Sequence, residues 1–184
     1  MLINISNSKI YIKNEEKKIY LENKDIERTF TKEIVKVFKE KKIKKCFIIN
    51  GPGSFTGLRT CSLSLNTINL LQNYEIDFFT ISKIDLYKIF FNKGLLPKEI
   101  FIFIGQRKKC WKYNLENDKY EYFFIEDIGE KEKMNYDENF TMDIDIKNYS
   151  INFILNNIGT KIEINNFSKE KIIKANYMIK ANTN

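Results

Sequence analysis

The stretch "NGPGSFTGLRT", Asn50–Thr60, concentrates residue types that the rest of the chain lacks. The 184 residues include seven glycines and two prolines; three of those glycines and one of those prolines fall between Gly51 and Gly57. Arg59 is one of three arginines, against 28 lysines. Before this stretch, "KKCFIIN" is a short apolar run after two lysines and reads as a buried, parallel strand. After it, Thr60–Tyr74 runs fifteen residues without a charge and reads as a helix ending near Asn73.

A glycine-rich turn from strand to helix suggests phosphate binding, but the spacing fails both common motifs. For a P-loop, counting from Gly51 puts Thr56 at the second glycine, and counting from Gly53 puts Leu58 there with no lysine after it. For a dinucleotide fingerprint, Thr56 again stands where Gly57 would have to be. The glycines are explained by a tight turn. Gly51, Pro52, Gly53 and Gly57 form a structural loop, and Ser54 or Thr56 caps the helix. Phe55 and Arg59 are not explained this way.

At 100° per residue, Leu58, Cys61, Leu65 and Ile68 form one stripe of the helix, and Leu63 and Leu70 lie nearly opposite, beside Asn66 and Arg59. A surface helix carries lysines on its outer face, as residues 25–41 do. The charge-free helix is therefore expected to be covered on two sides, the second cover being another chain in preference to a wholly internal position. Cys61, Ser62 and Ser64 are small enough for close approach. The expected partner surface is Ser54, Phe55, Thr56, Arg59, Leu63, Asn66 and Leu70. Arginine suits such a joint because its rigid fork holds a carboxylate or backbone carbonyls.

Working outward, residues 2–6, 8–13 and 17–21 read as strands, with "NEEK" as a turn. Ile26, Phe30, Ile34, Val37 and Phe38 recur at helical spacing over 25–41, with Asn23 or Asp25 as cap. "IDFFTIS" reads as a strand and Lys83–Phe91 as a helix. Strands alternating with helices indicate an α/β fold. Gly94 and Pro97 mark a boundary between residues 1–93 and 98–184. Beyond it, "EIFIFIG", "CWKYNLE" and "YEYFFIE" read as an antiparallel meander and "KEKMNYDENF" as a polar loop. "SINFILNNI" and "KIEIN" fit strands or helix pieces.

Composition limits the chemistry. The chain has no histidine, which excludes a Ser-His-Asp triad, an HExxH metalloprotease and a His-ligated metal centre within it. Cys46, Cys61 and Cys110 are odd in number and form no CxxC pair. No apolar run approaches the roughly 20 residues that span a bilayer, and the chain reads as cytoplasmic. The net charge of +7 permits nucleic-acid binding, and lysines equally solubilise a sequence rich in Ile and Phe. Lys108, Lys109, Trp111, Lys112 and Tyr113 interleave bases with aromatics, as single-strand binders do. A half-buried strand with lysines facing water gives the same pattern.

"GPGSFTGLR", Gly51–Arg59, resembles the signature of the TsaB family, the non-catalytic dimerisation subunits of the bacterial machinery that makes threonylcarbamoyladenosine in tRNA. A second likeness is "GQRKKCWKY" at Gly105–Tyr113, where the family often has Asp-Ala-Arg; Arg107 keeps the arginine as a possible second site and Gly105 replaces the acid. "NYMIK" at Asn176–Lys180 echoes the family's closing Pro-x-Tyr-Leu-Arg. The resemblance implies an actin-like ATPase (ASKHA) fold of two related lobes, the first complete and the second trimmed. It implies a homodimer when alone, pairing with a catalytic threonylcarbamoyltransferase paralogue, and a small P-loop ATPase as third partner, with tRNA met through the complex. ATP and a divalent metal would belong to those partners. No catalytic or metal-binding residue is expected in this chain. Family members often carry Asp-Thr-Ser after the first strand, where an acid serves metal and phosphates in the active ATPases of the wider fold. "INISNS" has no carboxylate there, so a magnesium site would lack its charged ligand. The alternatives are an ATP-binding kinase-like enzyme of the same fold and a small RNA-binding module.

Overall fold

Leu2–Asn4 (β1), Lys9–Lys13 (β2) and Lys18–Glu22 (β3) form an antiparallel run at the start of the chain. The computed structural model describes residues 1–14, 17–22, 25–145, 150–155, 158–163 and 166–178. The middle of the "NEEK" turn lies outside them, but its ends are joined by the Asn14 amide donating to the Lys17 carbonyl at 3.1 Å. Helix α1, Ile26–Glu40, buries Ile26, Phe30, Ile34, Val37 and Phe38, the stripe its periodicity predicts.

The cap expected at Asn23 or Asp25 is different. Asn23 lies outside the described residues. Asp25 takes the N-cap position with left-handed backbone (φ 57°) and makes no side-chain cap bond. Its backbone carbonyl instead accepts from the Arg28 and Thr29 amides and from Thr29 Oγ1 at 3.0 Å.

Lys45–Ile49 (β4) lies parallel to β1, and Asp77–Ile81 (β5) lies parallel to β4. Helix α2, Phe55–Leu71, joins them, and helix α3, Lys83–Asn92, follows β5. Glu99–Phe103 (β6), Lys109–Asn114 (β7) and Lys119–Phe124 (β8) form the predicted meander. The polar stretch after it contains two short 3-10 turns, Lys133–Asn135 and Asp137–Asn139. Thr141–Asp145 (β9), Ser150–Leu155 (β10) and Ile158–Glu163 (β11) form another antiparallel sheet, so the two ambiguous segments are strands. Ser168–Glu170 (β12) returns to the first sheet, antiparallel to β5, giving the order β12-β5-β4-β1-β2-β3.

The six-stranded sheet is covered on both faces, which is why β1 and β4 read as continuous apolar runs. Ile3, Ile5, Ile48 and Phe78 face α1 and α2. Leu2, Phe47, Ile49 and Tyr11 face α3 and the meander, meeting Tyr87, Trp111 and Tyr113. Burying one such side chain contributes about 1.5–3 kcal/mol. This second core draws residues from both sides of the Gly94–Pro97 boundary. Among the described residues, no helix is long and apolar enough to cross a membrane.

Candidate functional site

The glycines of the turn are required by close backbone approach. Gly51 has φ +68°, and a Cβ there would overlap the Asn176 carbonyl; a Cβ at Gly53 would overlap the Ser6 carbonyl. Gly51 N–H donates to Ser6 Oγ at 2.6 Å, and that hydroxyl donates to the Ile49 carbonyl at 3.0 Å. Pro52 and Gly57 are buried. Ser54, not Thr56, caps α2, its Oγ accepting from the Gly57 amide at 3.3 Å.

The two stripes of α2 separate as their angles predict. Leu58, Cys61, Leu65 and Ile68 are buried against the sheet. Leu63 and Leu70 are 64% and 54% exposed, Phe55 is 61% exposed, and Leu71 beside them is 77% exposed. Thr56 and Arg59 are also exposed. Arg59, Thr56, Phe55 and Leu63 share a groove of about 480 Å³ with Glu27 and Thr31 of α1. Among the described residues, Arg59 makes no hydrogen bond or ion pair.

Two expectations for this face need correction. Asn66 is engaged within the chain: its Nδ2 donates to the Ile173 carbonyl and its Oδ1 accepts from the Ile173 amide, both at 2.9 Å. Ser64 Oγ lies 2.8 Å from Thr31 Oγ1, so this small residue brings α1 close. The internal cover, which sequence reasoning weighed without locating, is residues 173–177. Ile173 is buried in the α1–α2 core. Asn50 holds this strap from the other side, donating to the Lys174 carbonyl and accepting from the Asn176 amide. The Tyr177 ring stacks on Phe55 with centroids 4.6 Å apart. The closing motif carried that signal, although its last residues, Ile179 and Lys180, lie outside the described residues.

The glycine at position 105 also has a physical reason. Gly105 has φ +82°, and a Cβ there would overlap Ser54 Cα. A side chain in place of this glycine would collide with the cap of α2. Arg107 is exposed and borders a cleft of about 700 Å³ together with Ser8, Thr56, Tyr136 and Glu138.

Glu138 decides what that cleft can hold. Its carboxylate accepts from the Ser8 amide at 3.1 and 3.2 Å and from Ser8 Oγ. The Ser8 amide and hydroxyl are donors of the turn after β1. A carboxylate from the second 3-10 turn occupies them, and a nucleotide phosphate there would meet a like charge. Among the described residues, no three His, Cys, Asp or Glu side chains lie together as a metal site.

Next to Glu138 lies a buried ion pair that the polar look of "KEKMNYDENF" concealed. Lys83 Nζ is 2.6 Å from Asp137 Oδ2, and neither side chain is exposed. Lys83 also donates to the carbonyls of Phe103 (2.9 Å) and Ser6 (3.4 Å). Asp137 accepts from the Phe103 amide at 2.8 Å and from Tyr87 Oη at 3.3 Å. Burial pushes the Asp137 carboxyl up to about 6, against the pull of Lys83. The network fastens the start of α3, the end of β6 and the turn after β1 to one another.

No family model matches the chain, and no curated protein matches it. Among solved structures it is similar to YeaZ from Pseudomonas aeruginosa, with 12% identity, a TM-score of 0.37 and coverage of 66% of this chain and 62% of that one. It is also similar to an uncharacterized protein described as having similarity to peptidase YEAZ from Pseudomonas aeruginosa, with 13% identity, a TM-score of 0.39 and the same coverage. The chain thus spans 62% of the length of these solved chains.

Proposed function

We propose that this chain is a scaffold subunit of the TsaB type. On this reading it is built on a two-lobed actin-like frame, and α2 pairs it with a catalytic threonylcarbamoyltransferase paralogue, or with a second copy when that partner is absent. The observation that carries the reading is the apolar outer face of α2, with Phe55, Leu63 and Leu70 exposed directly beside the nine-residue signature Gly51–Arg59. Loop and cap fix where the helix starts, so this face has a defined orientation. Residues 1–93 would form the first lobe and 98–184 the second, with 168–177 reaching back. ATP, the divalent metal and tRNA would be handled by the assembled cytoplasmic complex, including its small P-loop ATPase. Glu138 on Ser8 disfavours an ATP-dependent kinase of the same fold.

The test is pairing. Leu63→Glu and Leu70→Glu place a charge in what would be a dry interface, where it is strongly disfavoured. Both positions are exposed, so stability should stay within about 0.5 kcal/mol of the parent. Leu65→Glu, at a buried position, should unfold the chain. Sedimentation and pull-down with the catalytic paralogue should show pairing lost in the first two variants. Normal pairing by both would refute the reading.

A further inference from the structure

The groove between α1 and α2 holds two charges without partners. Glu27 and Arg59 are the charged residues among those bordering it; the rest are hydroxyl-bearing or apolar, Leu63 and Phe55 among them. Both charges are exposed. They do not pair with each other. Among the described residues, neither the Glu27 carboxylate nor the Arg59 guanidinium makes a hydrogen bond or an ion pair. Other surface charges are matched within the chain, as Lys17 is with Glu40 and Lys98 with Glu116. Arg28 and Lys32, one position on from Glu27 and Thr31, stand about 100° further round α1 and do not border the groove.

These two charges select the occupant. A polyanion meets Glu27, and a uniformly basic surface meets Arg59; each leaves one charge opposed. A matching surface offers a cation to Glu27 and a carboxylate to Arg59 at the spacing the groove sets, with apolar area around them. A second copy of this chain has both charges at that spacing. A two-fold axis running along the groove, between the two charges, exchanges them: what one copy offers, the other receives, and the reverse. The apolar area is on the same face. Phe55, Leu63, Leu70 and Leu71 of α2 are each more than half exposed, and no charge follows Arg59 before Glu75.

We propose, resting on the pairing role given to α2 above, that the chain forms a two-fold dimer in which Arg59 of each copy binds Glu27 of the other. The planar fork of arginine takes both oxygens of a carboxylate, which a lysine in its place cannot do. On an open surface such a pair contributes little. Shielded from water by Phe55 and Leu63, it fixes the register of the two copies and penalises a surface that lacks the matching charges. Glu27 thereby joins a partner surface that sequence reasoning confined to the loop and α2. In the sequence it is accounted for by its place in the first turn of α1, where an acid suits the helix dipole.

Charge reversal on the full chain tests this. Sedimentation at micromolar concentration should show the parent as a dimer. Arg59→Glu alone sets two carboxylates against each other at both contacts, and Glu27→Arg alone sets two guanidinium groups. Each should weaken the dimer about tenfold or more. An equal mixture of the two variants should pair again, because each then supplies what the other lacks at both contacts. The double variant should pair with itself for the same reason. Circular dichroism checks that the exposed substitutions leave the fold unchanged. Single variants that pair like the parent overturn the proposal, as does a mixture that stays monomeric while both variants are folded. A parent that stays monomeric yet captures the catalytic paralogue overturns it too, and leaves the pairing role of α2 standing. Normal pairing by both Leu63→Glu and Leu70→Glu sinks that role and this dimer with it.

Discussion

Removing Asp137 should be among the most damaging single changes available in this chain. The ammonium of Lys83 is sealed from water and, among the described residues, has one counter-charge, at 2.6 Å. Asp137→Ala leaves it with the carbonyls of Phe103 and Ser6 and also orphans the buried Phe103 amide. Breaking a buried pair from one side costs about 3–5 kcal/mol, against a total stability of about 5–15 kcal/mol. Lys83→Met should behave differently. The stranded carboxyl keeps the Phe103 amide and the Tyr87 hydroxyl as donors and can shed its charge by taking a proton. Its loss should therefore be smaller by about 1 kcal/mol or more near pH 5 than near pH 7.5. The parent chain carries a related signature. Its Asp137 carboxyl, raised to about 6, holds a proton in the native state that the unfolded chain releases near 3.8. Between those values the native state binds more protons, so this group makes stability fall as pH rises. Urea unfolding followed by Trp111 emission, compared with Asp137→Asn across that range, isolates the contribution. A loss under about 1 kcal/mol for Asp137→Ala, or identical pH slopes for parent and Asp137→Asn, would refute this reasoning.

Gly105→Ala combines left-handed backbone with an overlap on the Ser54 backbone; thermal melts should show a loss of about 2–4 kcal/mol. All three cysteines are buried, and burial pushes the Cys46 and Cys110 thiols up to about 12 and Cys61 higher still. A disulfide-exchange reagent at neutral pH should find almost no reactive thiol in the folded chain and three after unfolding in denaturant.

What the sequence disclosed follows from the range of the interactions involved. Local periodicity located α1, α2 and α3 to within two or three residues, and the burial of Leu58, Cys61, Leu65 and Ile68 follows from helical angle alone. Long-range placements were hidden. Asn66 looked like an outward polar residue because its partner, Ile173, lies 107 positions away. Asp137 sat in a stretch with no apolar rhythm, and nothing local marked it as the counter-charge of Lys83. Gly105 read as a lost acid until the α2 cap was seen against it. Trp111 and Tyr113 fitted a binding strip as well as the favoured half-buried strand, and a core that spans the Gly94–Pro97 boundary decided for the strand.

The strap that locks α2 has a consequence for synthesis. Ribosomes extend a chain at about 5–20 residues per second, so roughly 5–20 seconds separate the making of Asn66 from the making of Ile173. Throughout that interval the nascent sheet lacks both its β12 edge and the strap, and the apolar ground on which Ile173 will close stands open. A ribosome stalled in this window would display a surface that the finished protein hides, one that chaperones and quality-control proteases can read as a mark of incompleteness.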